Sequence, residues 1–220
     1  MPITSAAARR TKPPVPVRAS HPARTVFLGF AAAGLLGTGL LMLPMAKRGP
    51  GGAAALEALF TAISALCVTG LVVVDTPTFW TPFGHVVIVA LIQLGGLGVM
   101  TFASVVGVSV MRRLSLRSKL TAATEVKSLG IGDIGSTVLG VVKISLLIES
   151  AVAIMLTARF AIGYGHPLGE ALWLGVFHAV SSFNNAGFAL FSDSLMSFQT
   201  DPFVCLPICA AIILGGSASR

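Results

Sequence analysis

A chain of 220 residues that is 55% hydrophobic and only 10% charged, with a mean hydropathy of +0.89, has too little polar surface to cover a soluble globule and reads as an integral membrane protein. Its net charge of +7 does not point to nucleic acid, because five of the fifteen Lys and Arg lie in residues 1–24 and five more between Met111 and Ser128, beside apolar runs. No Ser/His/Asp set, paired carboxylate or Cys/His cluster has a catalytic or metal-binding arrangement, so no enzyme is expected, and Cys67, Cys205 and Cys209 read as buried thiols.

Residues 1–24 combine Arg9, Arg10, Lys12, Arg18 and Arg24 with prolines and small residues, the composition of a disordered basic cytoplasmic tail. Thr25 to Ala46 supplies about twenty-two mostly apolar residues, enough to cross a hydrocarbon layer of about 30 Å. Gly29, Gly34, Gly37 and Gly39 give it a small-residue face suited to close helix contact. After a polar turn at Lys47 to Gly52, Ala53 to Leu66 is apolar but too short to span. Two readings stay open: a half-helix that enters the membrane and turns back, or a short amphipathic helix lying at the interface. In the first, Cys67, Val68, Thr69 and Gly70 form an extended strip with carbonyl oxygens facing an axis, and Gly70 suits a backbone of positive φ.

Asp75 to Pro82 reads as an outer connection with Trp80 as an interfacial aromatic, and Phe83 to Val110 is the longest apolar run. Within it Gln93 is expected to hydrogen-bond between helices, and Gly95, Gly96 and Gly98 to mark close packing or a flexible point. They lack the spacing of a dinucleotide-binding loop. Residues 111–136 form a basic cytoplasmic linker, either a docking surface or a solvated loop. Thr137 to Ile162 is the next span. Its Lys143 lies near the cytoplasmic end, where it can snorkel, and Glu149 lies near the middle. Glu149 is either a hydrogen-bond anchor or a group that senses or couples ions. Leu168 to Phe183 is a second short apolar segment, containing Trp173 and His178. Asn184, Asn185, Ala186 and Gly187 follow, and Phe203 to Gly216 begins a further span.

An internal repeat organises these elements. Phe60 to Val74 returns without a gap 117 residues later as Phe177 to Phe191, with Phe60/Phe177, Ala62/Ala179, Ser64/Ser181 and Gly70/Gly187 identical. Two copies of one structural unit are the natural explanation, and they favour the re-entrant reading of both short segments.

The stretches around Cys67 to Gly70 and Leu91 to Phe102, Glu149, and Phe177 to Phe188 closely resemble the membrane subunit of the Trk/Ktr/HKT potassium-uptake family. The resemblance covers roughly residues 25–216. It implies an all-α membrane protein with two helix–pore loop–helix repeats, 25–110 and 137–216, out of the four of a potassium-channel-like, fourfold pseudo-symmetric transporter. The last helix is expected to be cut short and residues 217–220 to be an aberrant tail, so that the chain represents an N-terminal half. By the same resemblance Gly70 and Gly187 are filter glycines, with Cys67, Val68, Thr69, Asn184, Asn185 and Ala186 supplying neighbouring carbonyls for potassium. Sodium is a further transported ion to consider, and no organic cofactor is expected on this chain. The implied partners are a cytoplasmic nucleotide-binding regulatory subunit and a second copy in a homodimer. The implied location is the plasma membrane, multi-pass, with the N-terminus cytoplasmic. Two other functions stay open from the residues: a non-conducting membrane protein serving as an assembly partner or inert, and a proton-coupled secondary transporter using Glu149.

Overall fold

The computed structural model describes residues 22–98 and 133–218, with side chains described over 27–98 and 139–217. The basic tail, the end of the second span beyond Gly98 and most of the 111–136 linker lie outside the described residues. The elements run α1 (Pro22–Leu41), α2 (Ala55–Leu66), the single turn α3 (Thr76–Phe79), α4 (Pro82–Gly98), α5 (Asp133–Gly163), α6 (Leu168–Phe183), a 3-10 turn at Met196–Phe198 and α7 (Pro202–Ala218). Among the described residues there is no strand, only an isolated antiparallel bridge between Lys47 and Trp80.

One described helix, Leu139–Gly163 within α5, is long and apolar enough to cross a membrane. α2, with 12 residues, rises only about 18 Å and α6, with 16, about 24 Å, both short of a layer of about 30 Å. α1 stops at Leu41 rather than running to Ala46, because Pro44 disfavours helical backbone at Leu43. The chain then folds under its own end, where Gly52 lies so close to the Met42 carbonyl that a Cβ there would meet the oxygen at 2.2 Å. α2 starts at Ala55, where the Glu57 carboxylate accepts the Ala54 N–H at 3.0 Å and caps the first turn. α6 has the bounds expected from its apolar pattern.

Glycine decides how closely the helices approach. A Cβ on Gly95 of α4 would lie 1.9 Å from the Leu66 carbonyl oxygen at the end of α2, and one on Gly215 of α7 would lie 1.8 Å from the Phe183 oxygen at the end of α6. Leu66 and Phe183 are themselves 117 residues apart, so α4 and α7 cross the two short helices in the same way. Gly175 of α6 sits against Thr157 and Ala153 of α5, and Gly37 of α1 against Leu91 of α4. Of the four glycines expected on the close face of α1, Gly34 and Gly37 serve it, while Gly29 and Gly39 have open space beside them.

Because the Leu66 oxygen is backbone, it cannot rotate away. Gly95→Ala is therefore expected to cost about 3 kcal/mol, the upper end of the range for an overpacked core, and to lower the midpoint of a thermal melt in detergent. An unchanged melt would mean that α4 does not pass the end of α2 at this distance.

The apolar interior is built where α5, α6 and the outer turns meet. Phe160, Phe177, Phe183 and Leu156 are fully buried, and Phe160 lies within 5.7 Å, centroid to centroid, of both Phe191 and Phe198. Trp80 corrects the interfacial reading of its loop. It is fully buried over Gly84, because the Arg48 side chain holds its carbonyl at 3.0 Å and Lys47 bridges it. The cysteines are corrected in the opposite sense: Cys67 at the end of α2 and Cys209 on the outward side of α7 are exposed, and Cys205 is half-buried. Large apolar side chains such as Leu35, Leu147 and Ile154 stand outward, as they do on a surface whose solvent is lipid.

At one end of α5, Arg159 Nε donates to Asp201 Oδ2 at 2.7 Å, and the Tyr164 hydroxyl donates to the same oxygen at 2.8 Å. The Phe203 amide reaches the other oxygen at 3.0 Å, which caps α7. Burial pushes the Asp201 carboxyl upward, but these donors outweigh it and hold it below the usual carboxylate range. The clasp is accordingly intact at neutral pH and is lost only as pH falls through that lowered value.

Candidate functional site: two glycine turns and a buried amide–carboxylate triangle

α2 and α6 end in turns of the same construction. After α2, the Cys67 amide donates to Ile63, Val68 to Ala65 and Thr69 to Ser64. After α6, Asn184 donates to Val180, Asn185 to Ser182 and Ala186 to Ser181. In both turns the second residue adopts a left-handed backbone, Val68 at φ 56° and Asn185 at φ 57°, and so does the fourth, Gly70 at 71° and Gly187 at 73°. Glycine was legible at the fourth position. Valine at the second was not, since a β-branched residue is costly there.

A serine in each short helix holds its turn. Ser64 Oγ donates to the Leu71 carbonyl at 2.7 Å and Ser181 Oγ to the Phe188 carbonyl at 2.6 Å. The identity of these serines across the repeat was the signal for a role that sequence reasoning did not assign. His178, the counterpart of Thr61, is a second brace: its buried ring bonds the Leu174 carbonyl at 2.7 Å through Nδ1 and accepts the Leu190 amide at 3.3 Å through Nε2. No group of three or more metal-ligating side chains occurs among the described residues.

The two turns meet. A Cβ on Gly70 would lie 2.5 Å from the Ala186 carbonyl oxygen and 3.1 Å from Gly187 Cα. Their exits are tied as well, through the Ser192 hydroxyl, which donates to Asp75 Oδ2 at 2.8 Å across a sequence separation of 117. Thr78 donates to the same carboxylate oxygen. Cys67, Thr69, Asn185 and Gly187 are at least partly open, while Asn184 and Ala186 are buried behind them.

Glu149 closes the arrangement from behind. Its Oε2 accepts the Gln93 side-chain amide at 3.3 Å and its Oε1 accepts the Asn184 side-chain amide at 3.2 Å. Asn184 also donates to Gln93 Oε1 at 3.1 Å and to the Val180 carbonyl at 2.9 Å. This triangle joins α4, α5 and the second turn. Gln93 is thus the interhelical bond expected of it, and both carboxylate oxygens of Glu149 accept hydrogen bonds. Gly96 makes room: a Cβ there would lie 1.8 Å from Asn184 Oδ1.

Comparison with known proteins gives this geometry its context. The chain is 41% identical over 199 residues to the Ktr system potassium uptake protein B of Bacillus subtilis, an alignment covering 89% of this chain and 43% of that protein. It is 38% identical over 193 residues to the protein of the same name from Vibrio alginolyticus, covering 88% and 42%. With the potassium/sodium uptake protein NtpJ of Enterococcus hirae it shares 33% over 195 residues, covering 89% and 43%. The chain thus spans somewhat less than half the length of the curated relatives it matches. The TrkH family, described as a cation transport protein, matches residues 2–218, nearly the whole sequence. This all-helical membrane protein therefore belongs to the TrkH family of cation transport proteins.

Proposed function

We propose that the chain forms part of a potassium-uptake system of the Trk/Ktr type, as a section of its translocating subunit that supplies two of four pore loops. The observation that carries this reading is the meeting of two like-built, glycine-bearing turns at the ends of two helices too short to cross a membrane. The names of the relatives, potassium and potassium/sodium uptake proteins, support it.

In this reading potassium exchanges hydration water for carbonyl oxygens drawn from Cys67 to Gly70 and from Asn184 to Gly187. The C-terminal ends of α2 and α6 add the negative end of each helix dipole behind the ion. Two further loops complete the ring. The site is short, one glycine to each loop, so sodium competes more readily than in a filter with a longer signature. The two repeats take in 25–110 and 137–216, the protein crosses the plasma membrane several times with a cytoplasmic N-terminus, and its partners are a cytoplasmic nucleotide-binding regulatory subunit and a second copy of the translocating subunit.

Rubidium uptake into potassium-starved cells that lack their own uptake systems tests the proposal. With a partner polypeptide carrying two further pore repeats, the chain is expected to restore saturable uptake that potassium inhibits. Absence of uptake both alone and with that partner rejects the transport reading.

A further inference from the structure

α7 has two uncovered faces, and the matching positions on α4 tell them apart. Since Gly95 and Gly215 occupy the same place against the ends of the short helices, Ile92 and Gln93 correspond to Ile212 and Ile213, and Val86, Ala90 and Leu94 to Leu206, Ala210 and Leu214. On α4 the first face is covered by the following unit, since Ile92 is buried and Gln93 bonds Glu149 and Asn184. On α7 both isoleucines are exposed. The second face behaves differently. Val86, Ala90 and Leu94 remain exposed although the following unit is in place beside α4, and Leu206, Ala210 and Leu214 remain exposed although the preceding unit is in place against the turn after α6. In the fourfold arrangement proposed above, on which this step rests, neither neighbour covers the second face.

Together with Leu147, Ala151 and Met155 of α5, this face forms a groove of about 520 Å³ with no polar side chain in its lining. Met155 also borders a depression of about 330 Å³ that ends under Arg159. From Leu147 to Arg159 the helix rises about 18 Å, close to the depth of one leaflet, about 15 Å. The groove and the depression together follow that length, the path of an extended hydrocarbon chain.

Arg159 stands at the open end. Its Nε is committed to Asp201, its guanidinium lies 5.5 Å from the ring centroids of Tyr164 and Phe203 and packs against Gly163, and the side chain remains 37% exposed. A fixed, partly exposed guanidinium is matched by a phosphate, whose oxygens accept charge-assisted bonds. We propose that the groove between α5 and α7 is a phospholipid site, with one acyl chain along Leu147, Ala151, Met155 and Ala210 and the phosphate held by Arg159.

Native mass spectrometry of the purified 220-residue chain, exchanged in detergent with palmitoyl-oleoyl-phosphatidylglycerol or with the diacylglycerol of the same chains, tests this by mass, independently of ion flux. One retained phosphatidylglycerol per chain is expected, preferred about tenfold over the diacylglycerol, as one charge-assisted contact provides. Ala210→Phe, which fills the groove from an exposed position, is expected to abolish retention. Arg159→Gln is expected to remove the preference. Asp201→Asn breaks the same clasp but leaves the guanidinium, and is expected to keep it. Equal retention of the two lipids, undiminished retention by Ala210→Phe, or loss of the preference in Asp201→Asn as large as in Arg159→Gln overturns the site. So does a paired chain without lipid that Ala210→Phe separates, since a second copy would then be the occupant. Lipid retention by a chain that takes up no rubidium either alone or with the partner polypeptide rejects the transport reading and leaves the site standing.

Discussion

Serine at position 70 is expected to lower the preference for potassium over sodium by about 10- to 100-fold. Gly70 sits at φ 71°, and a Cβ there would meet the Ala186 oxygen at 2.5 Å. A side chain therefore brings backbone strain of about 1–3 kcal/mol and also displaces the carbonyl of the opposite turn. On a ratio of binding constants that energy corresponds to about one to two powers of ten. Gly49 separates the two causes. It too has a positive φ, 88°, but nothing lies within 4 Å of the Cβ it lacks. Gly49→Ser thus carries strain without crowding and is expected to leave selectivity alone. Competition of sodium against rubidium uptake measures both variants, and an unchanged ratio in Gly70→Ser would remove this residue from the ion path.

Loss of the carboxylate at 149 is expected to be the most damaging change in the interior of α5. Glu149→Ala leaves the Gln93 side-chain amide without its acceptor, at a cost of about 1–3 kcal/mol, and takes from Asn184 one of its three acceptors and its tie to α5. The second turn should then loosen, and both the thermal melt and the potassium preference should fall. Glutamine can accept from one amide but presents a donor to the other, so Glu149→Gln should show roughly half the loss. Under the anchor reading, uptake driven by a pH step survives in Glu149→Gln. Should that variant lose pH-driven uptake while retaining full potassium binding and a wild-type melt, Glu149 couples protons instead of holding the turn.

What could be read from the sequence followed from local pattern and from repetition. The end of each short helix at Leu66 and Phe183, the positive φ of Gly70 and the interhelical use of Gln93 all rest on composition within a few residues or on the match between copies. What could not be read depends on approach in space. Glu149 meets Gln93 across 56 residues and Asn184 across 35, and no spacing rule links them. The left-handed backbone at Val68 runs against the preference of its own side chain, so tertiary packing had to impose it. Trp80 and the cysteines were judged by residue type, whereas their burial is decided by which side of a turn or helix each occupies.

The two turns share one backbone shape but are held by unequal means. Asn185 tolerates its left-handed geometry and follows Asn184, which is bolted to two other helices. Val68 is forced into the same geometry, and its turn relies on hydroxyls from its own segment, Ser64 and Thr69. In the proposed ion path one of these two turns is stiff and the other sprung, so adjustment to ions of different radius is expected to fall first on residues 67–70.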